Sequence, residues 1–169
     1  HTHDGGEEYL VLEGTFQDED GDFPVGSYVR NPPGTSHRPA AAEGAVILVK
    51  LHQFEPSDRT PVHATLDPGR AVPLPGRPGV SAQPLHRDSR EDVRMELWAP
   101  GVEVELDLPG GAELLVLEGG YTEGGVEMGA WDWLRLPAGA RLHAEAGPEG
   151  ARLWVKSGHL TPPVGVAAA

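Results

Sequence analysis

The chain has 169 residues, with 13 Lys and Arg against 26 Asp and Glu and a formal net charge of -13 at neutral pH. That excess of negative charge repels phosphate backbones and anionic bilayers, which argues against direct binding to nucleic acid or to a membrane surface. Cysteine is absent, so disulfides, thiolate nucleophiles and Cys-ligated metals are excluded, and any metal has to be held by histidine and carboxylate.

Short Val- and Leu-rich runs broken by 23 Gly and 17 Pro read as an all-β chain. The first run, "HTHDGGEEYLVLEG" at 1–14, sets His1 and His3 two apart, so on an extended strand both imidazoles leave the same face. Gly5-Gly6 permits a reversal that brings Glu7 onto a neighbouring strand. "DEDGD" at 18–22 is a solvated hairpin turn, without the closing glutamate of a calcium loop. "GSYVRNPPG" at 26–34 is a strand and a Pro-Gly turn that aims His37 at the same spot, and "AVILVKL" at 45–51 reads as a buried strand. Residues 53–92 carry seven prolines and no sustained alternation, which predicts a connector with one or two short or edge strands. "VEVELDL" at 102–108 alternates, with Val102, Val104, Leu106 and Leu108 on one face. The expected organisation is a first domain at 1–52, the connector at 53–92, a second domain at 93–160 and a frayed tail at 161–169.

The two domains are copies. "EEYLVLEG" at 7–14 returns as "AELLVLEG" at 112–119, a shift of 105 residues, and "YVRNPPGTSH" at 28–37 returns as "WLRLPAGARL" at 133–142 with the same shift. "EGAVILVK" at 43–50 returns as "EGARLWVK" at 149–156, shifted by 106, so one loop holds one extra residue. The repeat supplies an internal control. It sets Leu106 opposite His1, Leu108 opposite His3, Ala112 opposite Glu7 and Leu142 opposite His37. Four metal-competent side chains in one copy thus face four aliphatic ones in the other, which marks the first set as candidate metal ligands and the second copy as metal-free. The counterpart of "VEVELDL" in copy one would lie upstream of His1, which predicts that the natural N-terminus extends further or that another segment covers that edge.

Among the remaining polar residues, Glu8 and Glu113, Arg30 and Arg135, Glu43 and Glu149, and Lys50 and Lys156 recur in both copies and read as structural. The alternative place for Tyr9, Tyr28 and Arg30 is the cavity above the metal, where Arg30 could receive a carboxylate in a bidentate fork. His52, His63, His86 and His159 read as surface or structural, and His143, one residue past the position that matches His37, points the wrong way along its strand.

His1-x-His3-x3-Glu7-x6-Gly14, followed by Gly26-x5-Pro32-x-Gly34-x2-His37, resembles the paired signature motifs of the cupin superfamily. With the tandem copy and the ending "LWVKSGHL", the chain is similar to ChrR-type cupins, whose best-known members are anti-sigma factors with a zinc-bound cupin domain. The resemblance implies tandem double-stranded β-helix (jelly-roll) barrels, a bicupin, with His1, His3, Glu7 and His37 as ligands of one divalent metal ion. Zinc is the first choice, and Fe, Mn and Ni stay open. It implies a sensory or regulatory module; the alternative is a non-haem iron (or Mn or Ni) dioxygenase acting on a small molecule, with catalytic residues unknown. The expected partners are the metal ion, a small-molecule ligand and a second copy of the chain, paired through apolar edge strands such as "AVILVKL" and "LLVLEGG". A sigma factor joins them only if a helical module precedes His1. No apolar run approaches the length of a membrane span, so the expected location is cytoplasmic.

Overall fold

In the computed structural model, which describes residues 1–161, every regular element is a β-strand apart from one 3₁₀ turn at Pro68–Arg70. Glycine and proline break the chain too often for a helix to propagate, and the alternating Val/Leu runs between them suit a pleated, half-buried surface. No helix among the described residues is long and apolar enough to cross a membrane. The strands fall into two units, His1–Leu66 and a second that begins at Asp67.

The first unit is built on β1 (Glu7–Asp18), with β2 (Gly21–Pro24), β3 (Ser27–Asn31), β4 (Ala45–Leu51) and β5 (Val62–Thr65). All pairings are antiparallel: the order is β2-β1-β3-β5, with β4 on the other edge of β1. Tyr9, Val11 and Val29 form its apolar core, with Phe16, Phe23 and Ile47 packed against them.

The second unit holds β6 (Val72–Pro73), β7 (Val80–Arg87), β8 (Asp92–Trp98), β9 (Glu103–Leu108), β10 (Ala112–Glu123), β11 (Val126–Met128), β12 (Trp133–Leu136) and β13 (Ala140–Ser157). Its main path runs β11-β10-β13-β8-β7-β6, with β12 on β10 and β9 on β13. Val104, Leu108, Leu114, Val116, Leu142 and Leu153 lie in one continuous aliphatic core. The repeat is legible in the backbone. β1 is bulged between Val11 and Glu13, and β10 between Val116 and Glu118. Just past each bulge sits a left-handed glycine, Gly14 at φ +70° and Gly119 at φ +67°, where a Cβ would strike the carbonyl oxygen of Gly44 or Gly150. Only glycine fits there without displacing the neighbouring chain.

Three expectations are corrected. "AVILVKL" is not a buried strand: in β4 only Lys50 is buried, and Val49 and Leu51 are 42% and 51% exposed. The difference goes with pairing: the matching stretch Ala151–Ser157 has β10 on one side and β8 on the other, while among the described residues β4 pairs with β1 alone. "LLVLEGG" is not an edge, since β10 is flanked by β12 and β13. The stretch 53–92 holds more regular structure than a connector with one or two short strands: β5 extends the sheet of the first unit through β3, while β6 and β7 open the second. Its Pro84 sits where the β7–β8 register shifts, a place that tolerates a residue without an N–H. Most of the tail read at 161–169 lies outside the described residues.

Candidate metal centre

Backbone pairing between two short segments assembles the site. The N–H of His3 donates to the Thr35 carbonyl at 2.9 Å, Gly34 donates to the His3 carbonyl at 2.9 Å, and His37 donates to the His1 carbonyl at 3.1 Å. Residues 1–3 therefore run beside 34–37, which places the first two imidazoles next to the third. The chain then reverses over His3–Gly6, closed by a Gly6 N–H to His3 carbonyl bond of 3.3 Å. Gly6 takes φ +77° with its α-carbon against the Phe54 ring, so a side chain there would meet both a strained backbone and an aromatic wall. The reversal delivers Glu7 as the first residue of β1.

His1, His3 and His37 stand nearly edge to face, with ring centroids 4.6 to 4.8 Å apart and interplanar angles of 72° to 85°. His3 Nε2 is 3.0 Å from His1 Nε2 and 3.3 Å from Glu7 Oε2, and His37 Nε2 is 3.5 Å from the same carboxylate oxygen. One donor atom from each of the four residues lies within 4.8 Å of all the others. His3, Glu7 and His37 are buried, but His1 is exposed, so the imidazole set is not wholly buried.

The far ring nitrogens identify the tautomers. The Thr35 hydroxyl donates to the Pro32 carbonyl at 2.8 Å, so its oxygen is left to accept from His3 Nδ1–H at 3.0 Å. The Asp18 carboxylate, an acceptor only, takes the His37 Nδ1–H at 3.1 Å. Both rings consequently turn the lone pair of Nε2 inward. His37 Nε2 is buried and has no hydrogen-bond partner among the described residues, and an unpaired lone pair in such a place is costly unless a cation takes it. Burial, reinforced by neighbouring His37, holds the His3 imidazole below its usual pKa against the opposing pull of Glu7, which favours the neutral, ligating form. Asn31 Nδ2 donates to Glu7 Oε2 at 3.3 Å and orients the carboxylate. Three nitrogens and one carboxylate oxygen are a fitting donor set for zinc, iron, manganese or nickel.

A cavity of about 470 Å³ opens beside these groups, lined also by Phe16, Ile47, Val49 and Leu51. His52, read from sequence as surface or structural, is exposed at its mouth with φ +58°. Tyr9, Tyr28 and Arg30 do not line it. Tyr9 packs tilted against Phe16 and edge-on to Phe23, its phenol held above the usual range by burial and nearby Asp18. The Tyr28 hydroxyl donates to Glu8 at 2.5 Å, while Arg30 pairs with Asp58 at 3.2 Å and stacks on Phe54. These three side chains belong to the packing of the sheet, because β-strand alternation sends Tyr28 and Arg30 to the face away from the histidines. Asp18, Thr35 and Asn31 were invisible as site residues in sequence; the nearest signal was the acidic turn at 18–22.

In the second unit the matching positions are aliphatic: Leu108, Ala112 and Leu142 are buried in the core and Leu106 packs against it. A second grouping, His86, Asp88 and Glu91, brings ligand-type atoms together there. Lys156 lies 3.0 Å from Glu91, and Asp88 accepts the backbone N–H groups of Arg90 and Glu91. A lysine already supplies the cation, and the grouping fastens a hairpin.

Residues 1–55 match the family model described as the ChrR cupin-like domain. Among solved structures, a protein of Nostoc punctiforme provisionally named a dioxygenase superposes with TM-score 0.70 at 15% identity, covering 97% of this chain and 66% of that one. The chain thus spans just under two thirds of the length of the Nostoc protein. A cupin 2 conserved barrel domain protein from Leptotrichia buccalis gives 0.64 at 15% identity, over 93% of this chain and 75% of that one. A Geobacillus kaustophilus protein gives 0.62 at 18% identity, over 96% and 78%. At these identities the likeness is one of fold, that of a tandem cupin. No curated protein matches the sequence.

Proposed function

We propose, from the premise that residues 1–55 form a ChrR cupin-like domain, that the first unit holds one divalent metal ion through His1, His3, Glu7 and His37 and acts as a metal-dependent sensory or regulatory module. The observation that carries the reading is the inward turn of His3 and His37: each Nδ1–H is spent on Thr35 or Asp18, and each Nε2 faces the Glu7 carboxylate. Partners on the outer nitrogen fix the orientation of ligating imidazoles and raise their basicity. When bound, zinc held by all four donors would complete a tetrahedron and leave no place for substrate, which suits a sensor.

The cavity beside the four donors favours a second reading, a small-molecule dioxygenase using iron at the same residues. A six-coordinate ion would keep two positions for exogenous ligands. Metal analysis of the purified protein, combined with oxygen uptake, separates the two. One zinc per chain without turnover supports the regulatory module, and iron with oxygen consumption supports the enzyme. Failure to take up any divalent ion after careful reconstitution sinks both, leaving a metal-free binding module.

A further inference from the structure

We propose that the cavity of the first unit takes a small uncharged molecule with an aliphatic body and an oxygen-donor head, rather than a phosphate, a sugar acid or a dicarboxylate. The inference rests on the metal reading above and names the ligand class for that same site.

Two features of the cavity carry it. The first is the aliphatic part of its wall. Alternation along β4 turns Ile47, Val49 and Leu51 to one side, and all three line the cavity together with Phe16. In the second unit, the residues at the first two of these positions, Leu153 and Val155, are 0% and 3% exposed and fill the core. In the first unit the same row borders the cavity beside the imidazoles instead. An aliphatic wall of this kind gains free energy by covering hydrocarbon and gains nothing from hydroxyl or phosphate oxygens.

The second feature is charge. Asp4 and Glu7 both line the cavity. With a divalent ion in place, these two carboxylates cancel its charge, and Asp18, held against His37, adds a third negative group nearby. A polyanion would bring charge that the site does not balance, whereas an uncharged oxygen chelator meets no such penalty. Arg30, the residue that would have answered a carboxylate, is held by Asp58 and Phe54 instead.

The test uses the full chain loaded with cobalt(II), whose visible spectrum reports coordination directly. Cobalt uptake is titrated first; then acetohydroxamic acid, hexanohydroxamic acid, oxalate and inorganic phosphate are titrated in turn. The two hydroxamic acids share one chelating head, are uncharged in neutral water, each release one proton to solvent on chelating the ion, and differ by four methylenes, so the tail alone separates their affinities. Each fully buried methylene is worth roughly fourfold in affinity, so the longer acid should bind at least about tenfold tighter even if its tail is only partly covered. The V49N/L51N double variant, which leaves the four donors in place, should lose that gain while retaining one cobalt per chain. Equal affinity of the two hydroxamic acids, or tighter binding of oxalate or phosphate, overturns the proposal while the metal reading stands. No cobalt uptake at the first step removes the metal reading and this proposal with it.

Discussion

Asp18 Oδ2 lies 3.1 Å from His37 Nδ1, while the other oxygen of the same carboxylate accepts the Asp20 N–H at 2.8 Å. One side chain of the hairpin turn thereby sets both the turn and the orientation of an imidazole nineteen positions further on. Asp18→Ala should lower metal affinity about 10- to 100-fold without changing the stoichiometry, as removal of such supporting partners does elsewhere. Competition against a chelator of known affinity measures it, and unaltered affinity would mean that His37 is oriented by packing alone.

His37→Ala should abolish metal uptake while leaving the strand content of the protein intact, because its ring caps a polar centre and not the Tyr9, Val11 and Val29 core. Leu142→Ala at the matching position should do the opposite. Leu142 is fully buried among aliphatic side chains, so truncation should cost about 2–5 kcal/mol of stability, with metal content unchanged. Denaturant unfolding and metal analysis on the two variants give the contrast. Metal loss in the Leu142 variant would mean that the units are not independent in this respect.

Glu96 sits at the centre of a buried network in the second unit, accepting two bonds from Arg77 at 2.7 and 2.8 Å, one from Arg94 at 2.7 Å and one from Trp98 Nε1 at 2.6 Å. Burial pushes its carboxyl upward, but the arginines outweigh burial and hold it below the ordinary carboxylate range. A carboxyl depressed in the folded state contributes its full stabilisation above its unfolded pKa and loses it as pH falls through the folded one. Unfolding free energy should therefore drop as pH falls through and below the ordinary carboxylate range, and Glu96→Gln should flatten that acid limb. At neutral pH the same variant should cost about 1–3 kcal/mol, since Arg77 and Arg94 lose the carboxylate they share and Arg94 keeps only Asp92. An acid limb identical in the variant would assign the loss to other carboxylates.

Gly14→Ala and Gly119→Ala should be destabilising to a similar degree, by about 1–3 kcal/mol each, because both positions combine a left-handed backbone with a carbonyl oxygen where the methyl would go. Denaturant midpoints of the two variants test this. A neutral outcome at either would show that the facing loop, at Gly44 or at Gly150, gives way easily.

The convergence of His1, His3, Glu7 and His37 was legible in the sequence for a local reason. On an extended chain the side-chain period is two, so His1-x-His3 had to present both rings to one side, and the duplicated strand showed that side to be the one its twin fills with Leu106 and Leu108. The all-β class followed equally from short range, through turn residues recurring too closely for helices. β4 was misjudged because burial of a strand depends on its partners. "AVILVKL" and its twin share Ala, Val and Lys at matching positions, yet among the described residues only the twin has a paired strand on each side.

The order of residues along this chain determined by itself which side chains gather at the candidate centre, since spacing on a strand decides which of them share a face and the repeat tells a polar centre from an aliphatic one. What lines the site and what steadies it was decided by the folded chain alone. Asp18 and Thr35 reach His37 and His3, and Arg30 turns instead to Asp58 and Phe54, through strand pairings between segments distant in sequence. A hydrogen bond of 3 Å tolerates little error in position, and nothing in local spacing specifies where a distant strand comes to rest.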